Sequence, residues 1–162
     1  MKRFFFSICI VLTLVANAEA HDQPPITAYV QSSEMVCVAK AISLDKNVVT
    51  FSVEDVVKGK PPTVLKLVIA EVPVAITLGS EWLLASVTKE NTVGWAIGGD
   101  YGWVNAPILR VDGKPFLVGN YGYVEPKVGT DVSKGMSLDQ LKKLAKGPPT
   151  NDLRSIALPV PH

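Results

Sequence analysis

Val111-Asp112-Gly113-Lys114 stands between two copies of one short motif, Gly99-Asp100-Tyr101-Gly102-Trp103-Val104 and Gly119-Asn120-Tyr121-Gly122-Tyr123-Val124. Asp-Gly between apolar flanks signals a tight hairpin, because both central residues of a type I′ turn need φ > 0. If Asp112 and Gly113 make that turn, antiparallel partners carry numbers that sum to 225. Gly102 then faces Tyr123, and Gly122 faces Trp103, so each strand glycine lies under a ring from the opposite strand. The ribbon would show Tyr101 and Trp103 on one face and Tyr121 and Tyr123 on the other. One face should pack on the rest of the protein. The other offers large, amphipathic contact area to a partner.

Outward from the hairpin, the chain is rich in β-branched and aromatic residues in short runs bounded by turn formers, which predicts a mainly β fold. Strands are expected at 27–31, 35–43, 47–57, 63–70, 81–88, 93–97, 103–111, 115–119 and 121–125. Val49, Phe51 and Val53 alternate with Thr50, Ser52 and Glu54, as do Leu65, Leu67 and Ile69 with their neighbours. The alternation falters at Asp55-Val56-Val57, where a bulge would restore register. Pro61-Pro62 cannot continue a ladder. Trp82 and Trp95 are read as core residues. One helix is expected at 137–146. Ser137-Leu138-Asp139-Gln140 has the form of a capping box, Leu138, Leu141 and Leu144 or Ala145 make an apolar stripe, and Gly147-Pro148-Pro149 ends it. That stripe should pack onto the sheet. Residues 148–162 read as a loosely held tail.

The N-terminus reads as an export signal. Lys2 and Arg3 precede the apolar run Phe4–Val15, and small-x-small sites follow at Ala16-Asn17-Ala18 and Ala18-Glu19-Ala20. Cleavage after Ala20 is preferred to cleavage after Ala18 and would leave His21 first. The run is too short for a stable membrane span. Residues 1–20 carry two of the 16 basic and one of the 15 acidic side chains. The remaining 142 residues therefore hold 14 of each, enough chain for one domain and with no net charge. Nucleic acid and anionic membrane, which select a basic excess, are not the expected partners. Cys37 would be the only remaining cysteine, so no internal disulfide can form. Its apolar setting, Met35-Val36-Cys37-Val38-Ala39, predicts an inert thiol.

Residues 34–88 resemble a netrin-like module, the OB-type barrel of secreted proteins that include tissue inhibitors of metalloproteinases. The resemblance is carried by Val36 to Ala41, by Val49-Thr50-Phe51-Ser52-Val53-Glu54, by Val57-Lys58-Gly59 and by Leu78-Gly79-Ser80-Glu81-Trp82-Leu83-Leu84. It implies a small OB-like barrel, here followed by a β-hairpin and a C-terminal amphipathic helix. Inhibitors of that family chelate zinc through a disulfide-locked N-terminal cysteine. This chain departs from them, with His21 first after cleavage and no disulfide partner for Cys37.

Nucleophilic catalysis needs a positioned base, and the two histidines, His21 and His162, lie at the extremes of the processed chain. There is no Gly-x-Ser-x-Gly elbow, phosphate-binding Gly-x-x-x-x-Gly-Lys loop or His-Glu-x-x-His helix. The sequence therefore predicts no catalytic residues, bound cofactor or metal centre. It predicts an exported, periplasmic or secreted, non-enzymatic binding or accessory module. The expected partner is an envelope or extracellular protein, met through the hairpin 99–126 by Tyr101, Trp103, Tyr121 and Tyr123. Two alternatives stand beside this. Asp100 and Glu125, opposite each other in the same register, could serve a small carbohydrate-active enzyme. A free amine and imidazole at His21 could bind copper.

Overall fold

The computed structural model describes residues 26–70, 76–87, 90–94, 102–118 and 135–148. Eight strands form one sheet: β1 (Val36–Asp45), β2 (Val48–Lys58), β3 (Val64–Ile69), β4 (Glu81–Ser86), β5 (Thr92–Gly94), β6 (Trp103–Val111), β7 (Lys114–Leu117) and β8 (Met136–Ser137). Two helices accompany them, α1 (Ile26–Ser32) and α2 (Leu138–Lys146). The strand order is β4-β1-β2-β3-β5-β6-β7-β8, and β4 also pairs with β6, so six strands close into a ring from which β7 and β8 continue. The β3–β5 and β5–β6 pairings are parallel; the others are antiparallel.

Period-2 alternation divides the core between the two faces of the sheet. Cys37, Ala39, Val49, Phe51, Leu67, Trp82, Leu84 and Val93 pack together inside the ring. Val36, Val38, Leu83, Ala85, Val104, Ala106 and Ile108 point the other way and pack against the helices. The faltering stretch of β2 is bulged as expected. Val36 and Cys37 pair with Lys58 and Val56, and Val38 and Ala39 pair with Asp55 and Val53, so Val57 and Glu54 are passed over.

Helix α2 starts at its capping box, where the Gln140 amide donates to Ser137 Oγ at 3.3 Å and the Ser137 amide donates to Gln140 Oε1 at 2.7 Å. Its stripe lies on the sheet, with Leu141 and Ala145 buried. Burying a leucine of this kind stabilises by roughly 1.5–3 kcal/mol. The segment expected as a strand at 27–31 is instead α1. Ile26 and Val30, four residues apart, bury one helical stripe beside Leu141 and Ala145. Packing has overridden the strand bias of its β-branched residues. Lys58 donates to the Gln31 carbonyl at 2.6 Å, satisfying an end of α1 that has no basic residue of its own. No helix among the described residues is long and apolar enough to cross a membrane.

Candidate functional site

Asp112 and Gly113 take φ of 49° and 76°, as a type I′ turn requires. The pairs Val111–Lys114, Arg110–Pro115, Leu109–Phe116 and Ile108–Leu117 keep the sum-of-225 register. The Val118 amide carries the register one step further by donating to the Pro107 carbonyl at 3.3 Å, and residues 119–125 lie outside the described residues. At the other end of β6, Trp103 pairs with Ser86 of β4 on one edge and with Val93 of β5 on the other, so neither edge is open to a third strand. The expected pairing across Gly102 and Trp103 is corrected accordingly. Gly102 is a glycine for another reason: a Cβ there would run into the backbone of Glu90. Trp103 is 4% exposed and belongs to the core inside the ring, with Trp82 at 0%. Its ring contributes no surface for a partner. Tyr101, Tyr121, Tyr123, Trp95, Asp100, Glu125, His21 and His162 lie outside the described residues, as do residues 1–25 and 149–162.

The open surface on the described part of the hairpin is a groove of about 390 Å³ between the Thr77–Trp82 segment and Ile108–Arg110. One wall is a tight turn. The Ser80 amide donates to the Thr77 carbonyl at 3.1 Å, and the Gly79 amide, at φ +85°, donates to the Ala41 carbonyl at 2.8 Å. Ser80 Oγ donates to the Thr77 carbonyl at 2.6 Å and accepts from Trp82 Nε1 at 2.6 Å. The turn thrusts Leu78 outward with 63% of its surface exposed.

The other wall carries Arg110, diagonal to Glu81 across the β4–β6 ladder, in which Glu81 faces Ile108. Arg110 Nε donates to both Glu81 oxygens, at 2.9 and 2.6 Å, and Nη2 donates to Asp55 Oδ2 at 3.2 Å. Nη1 donates to the Gly113 carbonyl at 2.9 Å, tying the cation to the turn. Burial disfavours the charge, but the hydrogen bonds and charges of Glu81 and Asp55 outweigh it and raise the Arg110 pKa. The side chains are 31%, 15% and 29% exposed for Arg110, Glu81 and Asp55, so solvent screens the network. Arg110→Ala is expected to lower stability by about 1–2 kcal/mol, mostly by leaving two carboxylates together. Asp55→Asn should cost about half of that, and urea denaturation of the two variants is the check.

Sequence reasoning had not singled out this cluster, because residues 55, 81 and 110 meet only once β1, β2, β4 and β6 are aligned. Its groups are bonded to one another, and the Ser80 hydroxyl bonds, among the described residues, the Thr77 carbonyl and Trp82 Nε1. Cys37, buried on β1 with its thiol pushed up to about 12 by desolvation, is protonated and unreactive at neutral pH. Among the described residues no three His, Cys, Asp or Glu side chains converge on one point. Comparison with known proteins gives no match to this chain, whether to family models, to curated proteins or to solved structures.

Proposed function

We propose that this protein is an exported, non-enzymatic binding module that meets another envelope or extracellular protein through the groove beside the β6–β7 hairpin. The single observation that carries the reading is Leu78, an apolar side chain 63% exposed on a turn braced by the Ser80 amide and hydroxyl on the Thr77 carbonyl and by the Gly79 amide on the Ala41 carbonyl. A rigid apolar tip beside a braced arginine has the make-up of a contact surface, since aliphatic burial supplies affinity and the charged rim supplies orientation. The Lys2-Arg3 and Phe4–Val15 pattern supports export. An OB-like kinship is supported by the closure of β1, β2 and β3 onto β4 through β6, with β5 as an added strand relative to a five-stranded barrel.

The test compares chemical cross-linking of the full chain in its own exporting cells with that of two surface variants. Leu78→Asp should reduce the cross-linked protein partner at least about tenfold, as expected for loss of a central apolar contact. Lys143→Asp, on the exposed face of α2, should leave it unchanged. Equal cross-linking in Leu78→Asp and the parent chain would remove the groove from the contact.

A further inference from the structure

Building on the groove as the contact surface, we propose that it docks an extended segment of the partner protein as an added β-strand, antiparallel to β6 and centred on Arg110. The phase of β6 decides which backbone groups face the groove. At one end of the strand the Val87 amide donates to the Gly102 carbonyl at 2.9 Å, and in the hairpin the Val118 amide donates to the Pro107 carbonyl at 3.3 Å. Even-numbered residues of β6 therefore aim amide and carbonyl at β4, and odd-numbered ones aim theirs at β7. Arg110 is even-numbered and lies beyond Ile108, which faces Glu81, the first residue of β4. In that register Gly79 would face Arg110. Instead the Gly79 amide donates to the Ala41 carbonyl at 2.8 Å, and its φ of +85° turns the chain away toward β1. Strand β4 thus ends in a tight turn, and the space left beside Arg110 is the groove of about 390 Å³.

Pairing follows the ordinary antiparallel pattern. One residue of the segment donates its amide to the Arg110 carbonyl and accepts from the Arg110 amide. Its side chain shares the face of Arg110, and its two neighbours share the face of Leu109, in the groove next to Leu78. Charge selects the occupant. Arg110 already bonds Glu81 and Asp55, so a third carboxylate is repelled, while a lysine stands directly opposite a guanidinium. A second copy of this chain meets the same objection, because pairing two β6 edges about a twofold axis sets Arg110 against Arg110 of the other copy. An uncharged acceptor suits the site. Nη1 and Nη2 carry two N–H groups each, and among the described residues Gly113 and Asp55 take one apiece, which leaves donors for a hydroxyl oxygen. The segment that fits is therefore a hydroxyl residue between two apolar ones.

The test uses the full chain and an acetylated, amidated peptide, Ser-Val-Thr-Val-Ser, with amide exchange followed residue by residue by NMR. Saturating peptide should slow exchange of the Arg110 amide at least about tenfold and leave the Val111 amide, which faces β7, unchanged. N-methylation of the threonine nitrogen should weaken binding at least about tenfold, because the peptide then cannot donate to the Arg110 carbonyl. Lysine or glutamate in place of the threonine should weaken it about threefold. Equal binding of the N-methylated and parent peptides, unchanged exchange at Arg110, or no saturable binding would each overturn strand addition. A sedimenting dimer that protects the Arg110 amide without peptide would also overturn it, by giving the edge to a second copy. The groove itself is judged separately, by cross-linking of Leu78→Asp. Loss of the partner in that variant together with failure of the peptide would keep the groove and remove the added strand.

Discussion

Replacing Trp103 with alanine is expected to destabilise the fold by about 3–5 kcal/mol, the usual cost of emptying a buried aromatic site. The side chain is 4% exposed and packs in the cluster that also holds Cys37, Phe51, Trp82 and Val93. Two losses add. The ring's own transfer from water is forfeited, and the surrounding strands, paired on both edges, cannot collapse to fill the void. Against a typical total of 5–15 kcal/mol, such a change removes a large share of the stability. Urea denaturation followed by the remaining tryptophans is the measurement. Leu78→Asp, in the same assay, should shift the midpoint very little. A loss below about 1 kcal/mol in Trp103→Ala would mean that the ring is on the surface, the only arrangement so tolerant of truncation.

The second large effect is a loss of stability at alkaline pH. Burial pushes the Cys37 thiol up to about 12 from its ordinary 9.0. The folded chain therefore holds this proton more tightly than the unfolded chain does. The corresponding stability is complete below pH 9 and is lost as pH rises toward 12. Three pH units correspond to about 4 kcal/mol. Tyr29, whose pKa is raised by desolvation from 10.0, adds a loss of the same sign above pH 10. In a Cys9→Ser background, urea midpoints between pH 8 and pH 12 should fall steeply for the chain that keeps Cys37. With Cys37→Ala the curve should start lower, from the lost packing, and descend less. Parallel curves for the two chains would show that the thiol ionises freely in the folded state.

The parts of the fold that were legible in the sequence are those decided by neighbours in the chain. Asp112-Gly113 chose its own turn and so set the register from Val111–Lys114 to Ile108–Leu117. Val49, Phe51, Leu65 and Leu67 declared a buried face by alternation, and Ser137 and Gln140 declared the start of α2. Other features depend on where distant strands fall. Ile26, Thr27 and Val30 have the composition of a strand, yet they become helical because a four-residue spacing meets the stripe of α2. Which face of the ribbon, that of Trp103 or that of Tyr123, would be covered stays open in the sequence, because nothing local to Trp103 says that β4 and β5 flank it. The Arg110 network joins residues 55 apart in the chain, a separation that no local pattern encodes. Asn105 is the extreme case. An asparagine in an extended apolar run gives no hint that both of its amide atoms will be sealed in without partners.

The closure of the ring through β4 also bears on how the chain folds. Two-residue turns let the β1–β2 and β6–β7 hairpins form within microseconds, each from residues already adjacent. Strand β4 must instead join Val36 to Ala85 and Glu81 to Ile108, drawing together long and still unstructured spans before either ladder returns any stabilisation. By loop-closure entropy, the expected slow step is the insertion of β4 between β1 and β6. A chain in which β4 is late would show the β4-facing edges of β1 and β6 to other chains, so dilute refolding should recover more folded protein than concentrated refolding.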